Sequence, residues 1–429
     1  MFISELKSSV DKEVVIKGWV YNYRSSGKIA FLQLRDGSGF TQVIAVKGSL
    51  SEEAWNTVQE ITQESSVTIV GTVSKHPKKE DVFEIQLKEI TLLSKASEYP
   101  IGNKEHGPDF LMQQRHLWIR SQKQWAILRI RDAVQTAIHN FLHQDKFIRV
   151  DSPIFTPNAC EGTTDLFEVP YFDLGSAFLS QSGQLYSEAV ISSVGRCYDF
   201  GPVFRAEKST TKRHLTEFWM MDAEAAFMEH DENVKIQERI IKYIVEHCIN
   251  TCKQELEILE RDVAPLQAIV DNDFTRYTYD QAIVKLNELG SDIKYGEDLG
   301  NDDEGLLTKD SLVPVFIEKW PKEIKPFYTK VDPENPHLVL NDDLIATEGA
   351  GEIIGGSQRE EDLELLKKLI KEEGLSEEDF GWYLDVRRFG SVPHSGFGIG
   401  LERMVRWISG VEHIRECTAF PRLVNRVKP

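Results

Sequence analysis

The spacing of apolar residues changes partway along this chain, and that change divides it. Over residues 1–95 the apolar positions come in short alternating runs. Val14-Val15-Ile16-Lys17-Gly18-Trp19-Val20, Ala30-Phe31-Leu32-Gln33-Leu34, Thr41–Ala45, Ser66–Val73 and Val82–Leu93 each read this way. A period of two belongs to strands buried on one face. Arg35-Asp36-Gly37-Ser38-Gly39 forms a turn between the second and third runs, and Ser51–Gln63 reads as a short helix. From Ser121 onward the spacing lengthens. Ile127, Ile130, Val134, Ile138 and Phe141 recur every three or four residues, which places them on one helical face. Ile148–Val150 then starts a strand that Pro153 interrupts. Residues 96–120, with Pro100, Gly102, Gly107 and Pro108, are expected to form a linker.

Five short strands with a helix after the third fit an N-terminal, all-β OB-fold barrel over residues 1–95. Residues 121–429 alternate strands and helices. They predict an α+β domain whose mainly antiparallel sheet is flanked by helices. Asp231–Glu260 is expected to be one long amphipathic helix, and Arg359 to open a helical run reaching about Glu373.

At 429 residues and 41% apolar composition, the chain can bury cores in two or three domains. No run of 18 apolar residues predicts a membrane span, and the first residues lack a basic-then-apolar signal pattern, so a cytoplasmic location is expected. Five scattered cysteines suit a reduced protein. Cys248 and Cys252 lie four apart beside His247, but no second Cys/His pair follows to complete a metal site. The net charge of −19 excludes a general polyanion binder. It is unevenly spread: residues 1–95 carry twelve basic and twelve acidic side chains, so the remainder holds the whole excess.

Three segments carry candidate chemistry. In Phe204–Phe227 two apolar runs flank a polar stretch with Lys208, Lys212 and Arg213. As a hairpin it would bring Arg205, Arg213 and His214 together as cations for a polyphosphate, because the guanidinium fork matches phosphate oxygens. A solvated hairpin with surface charges would read the same. Ser395–Phe420 opens with glycines at 396, 398 and 400 that lead into a helix near Leu401. Such a turn allows close backbone approach and favours anions, though tight packing alone also explains it. Its spacing is not that of a dinucleotide fingerprint. In Asp343–Arg359, Asp343 and Glu352 bracket a glycine-rich turn. Two such carboxylates suit a hard cation, or are simply surface acids.

Taken together, the order and spacing of these segments resemble the class II aminoacyl-tRNA synthetases. The helix, strand and Pro153 resemble motif 1. Phe204-Arg-Ala-Glu207 and the hairpin it begins resemble motif 2, and Gly398-Ile-Gly-Leu-Glu-Arg403 resembles motif 3. The resemblance spans the chain, and the N-terminal barrel places it in the subgroup that activates Asp, Asn or Lys. It implies ATP as a substrate, Mg²⁺, a tRNA partner and a homodimer formed through motif 1. It makes Arg205 the bridge between the amino-acid carboxylate and the α-phosphate, with Arg403 as the second catalytic cation. Glu207 would read the adenine amino group, and Arg213 and His214 would meet the distal phosphates. Phe218 and Arg403 would sandwich adenine, and Leu215, Gly400, Leu401 and Glu402 would complete the ATP site. Asp343 and Glu352 would hold Mg²⁺. Gly355 stands where archaeal-type aspartyl relatives carry a serine ligand.

For the amino acid, the resemblance points to Glu161, Gln184, Ser187, Asp222 and Arg359. Aspartyl enzymes carry Lys where this chain has Ser187, to neutralise the substrate carboxylate. Ser182-Gly-Gln184 and Glu352-Ile-Ile-Gly-Gly-Ser-Gln-Arg359 are worded like the asparagine-activating branch. L-asparagine and tRNA(Asn) are the implied substrates. Asp222 departs from the pattern, because that branch usually has Glu there and several aspartyl lineages have Asp. An aspartyl or non-discriminating enzyme is therefore the main alternative. An asparagine-forming amide ligase and a non-catalytic RNA-binding paralogue are the others. In the barrel, Phe31 matches an aromatic that stacks on the central anticodon base, with Arg24 and Gln42 on the same surface. Alternation already points Phe31 away from Leu32 and Leu34.

Overall fold

The computed structural model describes every residue except Asn103, 158–165 and Thr210. The chain forms two compact units, Met1–Met112 and Gln113–Pro429.

In the first unit the strands are β1 (Glu13–Ser26), β2 (Ile29–Arg35), β3 (Phe40–Val46), β4 (Ser66–Lys75) and β5 (Phe83–Ser94), with α1 (Glu52–Glu60) between β3 and β4. They close into a barrel in the order β1-β2-β3-β5-β4. Alternation sets its two faces: Ala30, Leu32 and Leu34 of β2 are buried with Val43 and Ala45 of β3 and Ile69 of β4. Ser51 caps α1 by accepting from the Ala54 N–H at 3.1 Å. This unit is the OB-fold barrel that the strand pattern predicts. Residues 96–120 are less extended than a plain linker, because α2 (Pro108–Gln113) and α3 (Arg115–Trp118) form there. Arg115 is fully buried in the second unit and donates to the Thr418 and Ala419 carbonyls. A buried guanidinium with backbone partners fixes the local chain in a way that apolar periodicity does not reveal.

The second unit begins with α4 (Gln122–Gln144), whose N-cap is Ser121. It continues through β6 (Ile148–Val150), β7 (Phe155–Thr156), β8 (Glu168–Pro170), β9 (Ser176–Leu179), α5 (Gln184–Val194), β10 (Arg196–Phe204) and β11 (Glu217–Ala226). Next come α6 (His230–Thr251), α7 (Lys253–Ile258), α8 (Ala264–Asp271), β12 (Thr275–Thr278), α9 (Tyr279–Glu288), α10 (Asn301–Thr308) and β13 (Val315–Pro321). The chain ends with β14 (Leu338–Ala346), β15 (Gly351–Gln358), α11 (Leu363–Glu372), α12 (Gly381–Arg388), β16 (His394–Gly400) and α13 (Leu401–Ser409). An eight-stranded sheet runs β12-β13-β14-β15-β16-β11-β10-β6. Its two outermost pairs are parallel and the five inner pairs antiparallel. Helices α4, α6 and α13 bury one face of it. Ile127, Ile130, Val134, Ile138 and Phe141 of α4 all lie in that core, beside Ile240 and Ile244 of α6.

Two helical expectations need correction. The segment Asp231–Glu260 is not one helix: it breaks at Cys252, and the following turn, α7, is tied back to α4 by an Arg129–Glu255 ion pair. Apolar spacing persists through the break, so the sequence conceals it. Arg359 opens no helix either. It continues from β15 through a bridge to Thr329, and the helix starts only after its N-cap, Asp362. A buried ion pair holds Arg359 in that extended position. Cys197, Cys248, Cys252 and Cys417 are buried and free, while Cys160 lies outside the described residues. Among the described residues, no helix is long and apolar enough to cross a membrane.

Candidate active site

The open face of the large sheet carries a cleft of about 230 Å³. Strand register explains its floor. Asp222 of β11 lies opposite Gly398 of β16, Gly398 opposite Gly355 of β15, and Gly355 opposite Asp343 of β14. One row across four strands thus has a carboxylate at each end and two glycines between. Three strand spacings separate the ends by about 14 Å. The missing side chains turn the row into a trough. A Cβ on Gly398 would sit 2.8 Å from Asp222 Oδ1, and one on Gly396 would strike the Glu224 carboxylate.

One end of the trough is dense with buried polar groups. Arg359 and Glu224 face each other in a two-pronged ion pair, with Nη2–Oε1 at 2.5 Å and Nε–Oε2 at 3.3 Å. Arg359 Nη1 donates to Ser357 at 2.6 Å, and its guanidinium lies 5.3 Å from the Tyr328 ring centre. Burial would lower the Arg359 guanidinium, but Glu224 holds it above its usual range. Asp222 Oδ2 accepts from Ser182 Oγ and the Gly183 N–H, both at 3.0 Å. Burial pushes Asp222 up to about 7, helped by Asp199, against the pull of those donors and of Arg359. Gln184 lines the same end. Ser187 does not: it is wholly buried on α5, one helical turn behind, and its hydroxyl has no partner among the described residues. Glu161 lies outside the described residues.

The middle of the cleft is cationic. The antiparallel β10–β11 pair carries motif 2 and pairs Val203 with Phe218. Arg205, Glu207, Arg213, His214, Leu215, Phe218, Gly400 and Arg403 all line the wall. The Arg205 guanidinium lies 5.4 Å from the Phe218 ring centre. Arg403 is anchored by donating to the Glu352 carbonyl at 2.7 Å. His214 is not the third cation expected of it. Burial first, then Arg403, Arg213 and Arg205, hold its imidazole below the usual range, so it offers a neutral ring hydrogen-bonded to Thr211. Arg213 is already engaged, 2.6 Å from Glu304 of α10. Leu401 is fully buried in the core. Glu402 touches the cleft, but its carboxylate accepts from Arg131 of α4 at 2.8 Å and the Trp219 N–H at 3.0 Å. It ties motif 3 to motifs 1 and 2.

At the far end, Asp343 Oδ1 and Glu352 Oε1 flank the space above Gly355, 3.9 and 3.4 Å from where its Cβ would stand. Asp343 also accepts from Lys325 Nζ at 2.6 Å and from Asn341 at 3.0 Å. Burial pushes Asp343 up to about 7, against Lys325 and with Glu352. Among the described residues, no group of three or more His, Cys, Asp or Glu side chains is placed to hold a metal.

On the barrel, Phe31 is half-buried and the Arg24 guanidinium lies 4.9 Å from its ring centre. Gln42 donates to the buried Glu84 at 2.7 Å. Sequence reading missed Glu224, Lys325 and Glu304. Glu224 alone had a local signal, because it sits two residues beyond Asp222 on one strand and so shares its face.

This fold and cleft define a class. Residues 107–424 match the family described as "tRNA synthetases class II (D, K and N)", and residues 14–93 match the OB-fold nucleic acid binding domain. The chain belongs to the class II aminoacyl-tRNA synthetases, within the D, K and N group. Among its relatives, the asparagine–tRNA ligase of Thermus thermophilus is 48% identical, and the similarity covers all of both chains. The crystal structure of asparaginyl-tRNA synthetase from Pyrococcus horikoshii complexed with asparaginyl-adenylate superposes with a TM-score of 0.95 at 40% identity. That match covers 100% of this chain and 99% of the other. The Entamoeba histolytica asparaginyl-tRNA synthetase, also with asparaginyl-adenylate, gives a TM-score of 0.88 at 30% identity over 98% and 97% of the two chains.

Proposed function

We propose that this chain activates L-asparagine with ATP and transfers the asparaginyl group to the 3′ end of tRNA(Asn). The observation that carries the choice of amino acid is the state of Arg359. Among the described residues at the amino-acid end, it is the one cation lining the cleft, and Glu224 already neutralises it. A second substrate carboxylate would meet Asp222, and beside it an Arg359 whose charge Glu224 already balances, with no uncommitted positive charge. An amide would meet acceptors suited to its NH₂ group, and Arg359 keeps N–H bonds for its oxygen.

Adenylate formation needs no general base, because the substrate α-carboxylate is already ionised. Its oxygen attacks the α-phosphorus, an O–P bond forms, and the bond to the β-phosphate oxygen breaks to release pyrophosphate. The tRNA 3′-hydroxyl then displaces AMP. Arg205 and Arg403 align nucleophile and phosphate and offset the charge that builds up between them. Phe218 and Arg403 provide planes for adenine and Glu207 accepts from its amino group, while Arg213 and His214 reach toward the distal phosphates. Asp343 and Glu352 would hold Mg²⁺. Two carboxylates beside an open glycine suit an ion that takes its remaining oxygens from phosphate and water, and it would neutralise the pyrophosphate leaving group.

Residues 1–95 would read the anticodon through Phe31, Arg24 and Gln42, leaving 121–429 as the catalytic domain. The exposed Ile148 on the edge strand β6, with Ile154 and Phe155 beyond it, supports a homodimer built around motif 1. A cytoplasmic location fits this role. Asp222 favours a second reading, a non-discriminating enzyme, because it is one methylene shorter than the Glu of the asparaginyl pattern. ATP–pyrophosphate exchange with each amino acid separates the two. We expect asparagine to drive exchange far better than aspartate. Equal or greater exchange with aspartate rules out the first reading.

A further inference from the structure

Behind the amino-acid end of the cleft lies a buried polar cluster that the reaction does not touch. At its centre is Glu188 of α5, with no exposed side-chain surface. Its Oε2 accepts from Arg387 Nη2 at 2.6 Å and from the Tyr383 hydroxyl at 2.7 Å, and lies 3.1 Å from His394 Nε2. Its Oε1 has one partner among the described residues, the Gln184 side-chain amide Nε2 at 3.1 Å. Burial opposes ionisation, but Arg387, His394 and Arg359 together hold the carboxyl well below its usual range. Glu188 is therefore a pure acceptor. An amide beside a pure acceptor must turn its NH₂ toward it, which leaves the amide oxygen facing the other way. For Gln184, which lines the cleft, that other way is the substrate.

We propose that Glu188 is a positioning residue that fixes Gln184 with its Oε1 presented to the cleft, as an acceptor for an N–H of the amino-acid substrate. The inference rests on the amino-acid-activating reading given above. A reversed Gln184 would set oxygen against oxygen at Glu188, and would offer a donor to a substrate whose ammonium and amide groups are themselves donors. The ion pair with Arg387 thus acts on specificity through one intervening amide.

The chemistry also predicts what Glu188→Gln does. Arg387 can only donate, so the new carbonyl oxygen takes the Oε2 position and the new NH₂ faces Gln184. Gln184 must then turn over and present NH₂ to the cleft. We expect the KM for asparagine in pyrophosphate exchange to rise about tenfold, the loss of one hydrogen bond to a charged group, while the KM for ATP stays within about twofold. A double-mutant cycle with Gln184→Ala tests the route. In the Gln184→Ala background Glu188→Gln should add nothing to the asparagine KM, because the amide it acts through is gone. Additive effects, or a parallel rise in both KM values, would overturn the proposal and leave Glu188 as a structural group. If Glu188→Gln does not fold, the cycle is run with Glu188→Asp, which keeps the pure acceptor but withdraws it, under the same criterion. If Gln184→Ala alone leaves the asparagine KM unchanged, the reading of the cleft itself fails. That outcome is distinct from failure of the cycle.

Discussion

Asp222 shows how much one residue decides here. It closes the amino-acid end of the glycine trough, and its Oδ1 stands over Gly398. Burial and the neighbouring Asp199 push it up to about 7, so its charge changes within the range where such enzymes are assayed. Above that value it is an anionic acceptor, suited to an amide NH₂ and hostile to a second carboxylate. As pH falls through it, the group takes a proton, the repulsion disappears and a donor replaces an acceptor. The ratio of kcat/KM for aspartate over asparagine should therefore rise by roughly tenfold between pH 8 and pH 6, about 1.4 kcal/mol of lost discrimination. Pyrophosphate exchange across that range measures it. Asp222→Asn, neutral at every pH, should flatten the profile at the permissive level. A ratio that stays level in the wild-type chain would show that Asp222 does not set the choice.

At the scale of elements, the site is a property of β16 and its two neighbours. The glycines at 396, 398 and 400 were legible as a close backbone approach, but what they approach was not. Gly396 faces Glu224 and the Ala223 carbonyl, both structural, whereas Gly398 faces Asp222 and the open trough. The two positions should therefore fail differently. Gly396→Ala forces a methyl into a buried ion pair and a backbone carbonyl, and should cost about 1–3 kcal/mol of stability, seen as a lowered Tm. Gly398→Ala, whose methyl meets one carboxylate oxygen rather than an ion pair and a backbone carbonyl, should lower Tm less than Gly396→Ala and abolish asparagine-dependent exchange. Equal Tm losses in both would show the trough to be a packing feature.

The same contrast explains what could be read from the sequence. Period-two and period-3.6 patterns report which face of an element is buried, and they located the five barrel strands, the start of α4 at Ser121 and the second strand of the hairpin, but they stopped β1 at Val20 rather than Ser26 and began the hairpin at Phe204, where β10 in fact ends. They carry no information about partners far along the chain. Glu224 and Arg359 are 135 positions apart, Arg213 and Glu304 91, and Glu188 and Arg387 199, and each pair decides where a charge points. Arg359 was misplaced for that reason: its ion pair, not its neighbours in sequence, keeps it extended. The family resemblance supplied names for the cleft residues, but not the engagement of Arg213 with Glu304 or the neutrality of His214.

For the whole molecule, the division of charge matters more than its total. Residues 1–95, which hold the barrel strands, are neutral, and the remainder of the chain carries the −19, so contact with a polyanion is least opposed on the barrel. If the barrel reads single-stranded bases by stacking on Phe31, that work is separable from adenylate formation in the other unit. Phe31→Ala should lower kcat/KM for tRNA in aminoacylation by roughly 5- to 150-fold, the range for one lost base stack. It should leave asparagine-dependent pyrophosphate exchange unchanged. Salt should divide the two assays along the same line. Each phosphate contact made by Lys or Arg releases a counterion, so the tRNA KM should climb with ionic strength, while exchange, confined to a partly enclosed cleft, should respond weakly. A loss of exchange in Phe31→Ala would mean that the ring supports the barrel fold rather than reading RNA. An unchanged tRNA kcat/KM would place anticodon contact on some other surface of the chain.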